Sequence, residues 1–162
     1  MDIKTIFRLM ALIVLTLCIQ GCSDDEDKYV EPPLAVTPAN IAGAWQLTQW
    51  NSAPLAEGTY CYIIFNRRER TYAMYQKFDS MYARCITGTY SIEENSDSEY
   101  IISGTYDYGR GNWNNSYIVT ELYAHGSMVW TAKEDKTDVS VYKRCDSVPQ
   151  DIIDEARIVS DK

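Results

Sequence analysis

From about residue 44 to about residue 145 the chain reads as a succession of short runs in which apolar and polar side chains alternate, separated by turn residues. A period of two puts successive side chains on opposite faces of a strand, so one face can be buried while the other meets water. The runs fall at about 44–50, 59–66, 70–78, 83–92, 99–108, 116–124, 127–133 and 138–145. Their joints have turn chemistry, as in Asn66-Arg67-Arg68-Glu69, Glu94-Asn95-Ser96-Asp97 and His125-Gly126-Ser127. The 13 Tyr and 4 Trp of the chain favour the same state, because aromatic side chains pack well on a pleated, half-buried surface. Short strands joined in sequence predict an all-β fold, an eight-stranded antiparallel up-and-down barrel, since closure abolishes the exposed edges of an open sheet.

The alternation assigns an interior. Ile63 and Phe65, Tyr72 and Met74, Ile86, Tyr90 and Ile92, Ile118 and Leu122, Met128 and Trp130, and Val139 and Val141 are expected to face inward. A barrel of this size is about wide enough to be filled by side chains or to hold one small ligand. Ahead of the first strand, Thr37-Pro38 is expected to cap a short helical turn with proline in its first position. After the last strand, Ser147-Val148-Pro149-Gln150 has the form of a capping box. Val148, Ile152, Ile153, Ala156 and Val159 then fall on one helical face, so a short C-terminal helix is expected against the barrel wall.

The N-terminal residues are addressing rather than fold. Lys4 and Arg8 form a basic region, and Leu9 to Leu17 form an apolar one too short to span a bilayer without its flanks. Gly21 directly precedes Cys22, and an acidic run, Ser23 to Asp27, follows. This arrangement resembles the lipobox of bacterial lipoproteins, with Ile19 in place of the usual leucine. The resemblance implies a signal peptide over 1–21, acyl chains on Cys22 as the membrane anchor, and an outer-membrane location. The acidic run resembles a surface-export signal, which implies a cell-surface domain; a periplasm-facing tether is the alternative. More than one acyl chain anchors firmly, each buried methylene contributing about 0.8 kcal/mol. Residues 22–37, with acids, Pro32 and Pro33, suit an extended tether, leaving 38–162 as the folded domain.

Gly43-Ala44-Trp45 opens the first strand and Arg144 lies near the end of the last. These residues resemble the G-x-W signature of lipocalins and the basic residue that packs over its tryptophan. Ile64-Phe65-Asn66 and Gly88-Thr89-Tyr90-Ser91-Ile92 are similar to phrases in small lipocalin-like domains of bacterial lipoproteins. The resemblance covers about 41–145. It implies a lipocalin-like barrel closed by Trp45 and Arg144, a helix packed on its wall, and binding rather than catalysis. The short strands and loops depart from larger lipocalins and imply a narrow cavity.

In an up-and-down topology the connections near Pro54-Leu55, Met81-Tyr82, Gly109 to Asn115, and Lys133 to Asp138 crowd one rim. Trp113, in a Gly- and Asn-rich connection, is expected either to stack on a ligand at the barrel mouth or to fold over and plug it. Tyr108, Met74 and Tyr82 complete the candidate ligand-binding set, for a small apolar or amphipathic molecule. With Cys18 in the signal and Cys22 lipidated, Cys61, Cys85 and Cys145 remain, enough for one disulfide and a leftover thiol. Cys61 and Cys85 both begin strands near that rim and are the expected pair, provided a bulge carries them across the intervening strand; Cys145 is the alternative partner.

Catalytic signals are poor. His125 is the single histidine and lies in a turn, no Ser/His/Asp set assembles around it, and neither metal spacing nor a glycine-rich phosphate loop occurs. Glu93-Glu94 and Asp135/Asp138 lie in hydrophilic joints and read as solvated. No cofactor is expected. The formal net charge of −8 argues against a nucleic-acid or anionic-lipid surface. An envelope-protein partner for a solid barrel is the alternative to a small ligand.

Overall fold

The computed structural model describes residues 31–78, 82–109 and 111–158. The expected signal over 1–21, the expected lipid site Cys22 and the first part of the expected tether lie outside the described residues. By Leu34 the chain has joined the domain: its N–H donates to Leu122 O at 2.7 Å, and Val36 is buried in the core. Leu34 and Val36, which composition assigns to the expected tether, thus pack on the domain, because Val36 has apolar surface to bury.

Thr37 caps the first helix, α1 (Pro38–Ile41), its Oγ1 accepting from Asn40 N at 3.2 Å with Pro38 at the start of the helix. The strands are β1 (Gly43–Trp50), β2 (Ala53–Pro54), β3 (Tyr60–Asn66), β4 (Thr71–Lys77), β5 (Arg84–Glu94), β6 (Tyr100–Tyr106), β7 (Tyr117–Thr120), β8 (Ser127–Ala132) and β9 (Val139–Cys145). Eight of them close an antiparallel barrel: β1, β3, β4, β5, β6, β7, β8 and β9, with β9 paired back onto β1. The small β2 folds against the end of β1 through Asn51 and Ser52, both at positive φ, the backbone a two-residue hairpin turn requires. Beyond the ring come α2 (Gln150–Glu155) and β10 (Arg157–Ile158), the latter adding to β5 in parallel.

Register decides which face of each strand is inside. Trp45 pairs Ile63, Ile63 pairs Met74, and Met74 pairs Ile86, so these four share the interior. Two strands differ from the alternation read along the chain. On β9 the inward residues are Ser140 and Tyr142, paired with Trp130 and Met128, and Val139 and Val141 face outward. The indole of Trp130 needs a small neighbour at its level, and Ser140 supplies one. On β7, Tyr117 and Val119 lie level with Ile102 and Trp130 inside, so Ile118 is buried on the opposite face. A slip of one residue exchanges the faces of a whole strand.

The C-terminal helix forms, but the capping box does not: Pro149 stands at the N-cap and no side chain caps the helix. No residue of α2 is buried, and the expected face is cut short where Ala156 turns extended to enter β10. Val148 is buried just before the helix, and Val159 lies outside the described residues. Glu155 ties α2 to the outer wall, accepting from Lys77 Nζ at 2.6 Å and from the Tyr60 hydroxyl at 3.4 Å.

Candidate functional site

The two ends of the barrel are built differently. At one pole Trp45 is fully buried and its Nε1 donates to Ile41 O at 2.8 Å. The Arg144 guanidinium lies 4.3 Å from the centre of the indole and donates to Ala42 O at 2.5 Å and Asn40 O at 2.6 Å. The cation is thus attracted to the ring while closing the open carbonyls at the end of α1. Gly43, at φ +104°, is the hinge between α1 and β1; a Cβ there would meet Arg144 Nη1 at 3.1 Å. Phe65, Leu122 and Met128 fill the space beneath.

The opposite pole opens onto a cavity of about 220 Å³. Seven aromatic residues line it: Trp50, Phe78, Tyr106, Trp113, Tyr117, Trp130 and Tyr142. Leu47, Cys61 and Met74 form apolar wall, and Gln76, Asn114, Asp138 and Ser140 supply polar groups. Trp50 reaches this position through a bulge: between Leu47 and Gln49 the register with β9 shifts, so Trp50 returns to the inner face opposite Ser140. Its Nε1 donates to Asp138 Oδ1 at 2.8 Å. Asp138 is therefore a half-buried wall of the mouth and not one half of a solvated pair.

Trp113 is carried inward by its own backbone. Beyond Ile102, β6 loses β7 as a neighbour and the segment 111–113 takes its place, with Tyr106 N bonded to Gly111 O and Trp113 N to Gly104 O, each at 2.8 Å. Gly104 makes room, since a Cβ there would sit 2.5 Å from the indole. The Trp113 ring packs on Tyr72, Tyr117 and Trp130, and its Nε1 donates to the Tyr72 hydroxyl at 2.8 Å. It plugs part of the barrel and forms a wall of what stays open.

Burial dominates the electrostatics of this end. It pushes the Tyr142 phenol well above its ordinary value, with smaller contributions from Cys61, Tyr117 and Asp138, and it pushes the Cys61 thiol up to about 12. The buried Gln76 amide, oriented with its oxygen toward Arg84, accepts from Nε at 2.8 Å and Nη2 at 2.6 Å. Trp130 Nε1 has no hydrogen-bond partner, although the residue is 2% exposed.

Of the residues singled out from sequence, Trp113 and Met74 line the cavity. Tyr108 stacks on Tyr106, with ring centres 5.0 Å apart, and stands behind the wall. Tyr82 does not belong to the site: it is 64% exposed, under the Arg157 guanidinium, because Arg84 takes the inward position at the start of β5. Cys61 and Cys85 are free thiols, as is Cys145. Cys61 faces the interior beside Gln76, whereas Cys85 pairs Tyr75 on the outer face. Two strand spacings, about 10 Å, and the sheet itself separate them, which no disulfide spans. His125 stacks on Tyr123 in the turn before β8, at the sealed pole. Among the described residues no group of three or more His, Cys, Asp or Glu side chains is placed to hold a metal ion.

Sequence reasoning missed Trp50, Gln76, Tyr117, Asp138 and Tyr142 as walls of the cavity. Local alternation carries a signal for Tyr117 and Tyr142 only when the strand phase is known, and none for Trp50 beyond its bulge.

A closed antiparallel barrel, sealed at one pole around a buried tryptophan and open at the other onto an aromatic-lined cavity, defines a small binding barrel. The chain belongs to the lipocalin-like domain family, whose model matches residues 41–130, more than half of its length. The family is in general a non-enzymatic binding fold. The matched segment stops at Trp130, so β9 and Arg144 complete the ring beyond it. No curated protein matches the chain.

Proposed function

We propose that this chain is an outer-membrane lipoprotein, anchored through acyl chains on Cys22 and exposed at the cell surface, whose barrel binds one small amphipathic molecule at its open pole. The observation that carries the binding role is the cavity: aromatic walls with a few convergent polar groups are the usual build of a ligand site. Its volume of about 220 Å³ bounds the ligand. It exceeds the cavity of about 150 Å³ that accommodates benzene. It falls below the range of about 300–1,000 Å³ typical of drug-sized ligands. A single ring with a short arm fits those limits. Leu34 joins the domain beside Leu122, at the sealed pole.

Titration of the chain with single-ring amphiphiles, read by tryptophan fluorescence, tests the binding role, because Trp50, Trp113 and Trp130 all line the cavity. Saturable change that is lost in Trp113→Ala supports it. A flat response across the series, with an envelope protein recovered on intact-cell crosslinking, favours the second reading, a solid protein-interaction module. The packing of Trp113 across much of the interior is the observation on that side. For the anchor, fatty-acid labelling that disappears in Cys22→Ser is the expected result, and labelling that persists removes it.

A further inference from the structure

Among the described residues that line the cavity at the open pole, Asp138 is the one carboxylate, and it stands among seven aromatic rings. Asp138 Oδ1 accepts from Trp50 Nε1 at 2.8 Å, and no cation pairs with it among the described residues. A hydrogen bond from an indole orients a carboxylate without neutralising it. Around it stand the rings of Trp50, Trp113, Trp130, Tyr117 and Tyr142. The faces of such rings carry negative quadrupole charge, and cages of them, especially with a carboxylate at hand, favour positively charged groups.

The same wall disfavours anions. A carboxylate placed among these rings would face Asp138 and lose part of its hydration. Arg84, paired with Gln76 across neighbouring strands, turns its guanidinium onto the Gln76 amide oxygen. At the cavity wall Trp130 Nε1 is a buried donor with no partner. An unsatisfied buried donor is costly, so a ligand that brings an acceptor to this wall gains more than contact area. The chain's net charge of −8 adds long-range attraction for cations.

From this arrangement we infer that the cavity selects a small organic cation: an ammonium group held by Asp138 and the aromatic faces, on a single-ring or short apolar body that carries a neutral hydrogen-bond acceptor. The inference rests on the binding reading above and assigns the ligand's charge, which that reading leaves open. Asp138, which belongs to a hydrophilic joint in the sequence, becomes the residue that sets specificity.

The test uses the full chain and matched probes that differ in charge: 4-methoxyphenethylamine, the corresponding neutral alcohol, and 4-methoxyphenylacetate, each titrated by calorimetry and tryptophan fluorescence at low and high salt. The amine should bind at least about tenfold more tightly than the alcohol, with the acid weakest, and added salt should narrow the gap. In Asp138→Asn, whose amide oxygen still accepts from Trp50, the preference for the amine should fall to the few-fold that the aromatic faces alone supply. Equal binding of amine and alcohol to the unaltered chain overturns the inference and leaves the binding role standing, as does a preference for the acid. An amine preference undiminished in Asp138→Asn overturns the role given to Asp138. Absence of binding by all three, with the fold intact by circular dichroism, overturns both this inference and the single-ring binding reading on which it rests.

Discussion

The sealed and open poles of this barrel use the same residue type in opposite ways. At the sealed pole one tryptophan, Trp45, is fully buried, its N–H bonded to Ile41 O and its face covered by Arg144. At the open pole Trp50, Trp113 and Trp130 surround an unfilled volume; Trp50 is 47% exposed, and Trp130 keeps an N–H without a partner. The first arrangement satisfies every polar atom of its tryptophan and leaves nothing for a ligand to add. The second leaves surface and hydrogen-bonding capacity uncommitted, which is what a binding site requires. Stability and recognition are thus separated along the barrel axis, so substitutions at the two poles should have different signatures.

The largest effect is expected at the sealed pole. Trp45→Ala removes a fully buried indole, its bond to Ile41 and the surface under Arg144, and should cost about 3–5 kcal/mol in urea unfolding. A loss below about 1.5 kcal/mol would mean that the pole relaxes around the gap and that the contrast is not one of stability. Alkali offers a second global test. Burial holds the Tyr142 phenol well above its ordinary value and pushes Tyr72 up to about 12. A raised folded value means the contribution is fully present below the unfolded value of about 10 and is lost as the pH rises through the folded one. Phenolate absorbance should therefore show one late, cooperative step coincident with unfolding, beside the gradual titration of exposed tyrosines; a single gradual titration with the fold retained would refute this.

Gly104→Ala sharpens the account of the plug. The added methyl meets Trp113 at 2.5 Å and Thr89 O at 2.7 Å, so a loss of about 1–3 kcal/mol is expected, together with a changed tryptophan emission. Trp113→Ala should cost less than Trp45→Ala, about 1–2 kcal/mol, while abolishing ligand-dependent fluorescence; an equal loss at both positions would erase the distinction between the poles. The smallest effect belongs to the outer wall. Lys77 holds the Glu155 carboxyl below the usual carboxylate range by a hydrogen bond, a contribution present above that range and lost as pH falls through it. Both side chains are substantially exposed, so Lys77→Gln should leave the urea midpoint unchanged near neutral pH, and a clear shift would show that α2 braces the barrel.

The sealed pole is legible in the sequence because its parts are local: Thr37-Pro38 caps α1, Gly43 supplies a backbone that other residues resist, and Trp45 follows two positions on. Only the reach of Arg144 across the ring is non-local, and its placement follows from family resemblance. The open pole is half legible. Trp113 stands out as an aromatic in a glycine-rich connection, and Met74 follows from alternation. Tyr82 is misplaced by sequence reasoning because proximity to a rim along the chain does not say which side of the sheet a residue leaves. The Cys61–Cys85 pairing fails for the same reason: both open strands at one end, on opposite faces.

What the sequence alone determined is the eight strands of the ring and the all-β closed form, since alternation and glycine at strained backbone positions are properties of neighbouring residues; β2 and β10 are not marked by it. Which face of β7 and β9 turns inward, the bulge that returns Trp50 to the cavity, and the meeting of Asp138 with that indole were decided only in the tertiary structure. The physical reason is that a strand's period is its own, but its phase is imposed by the hydrogen-bond register of the strands on either side.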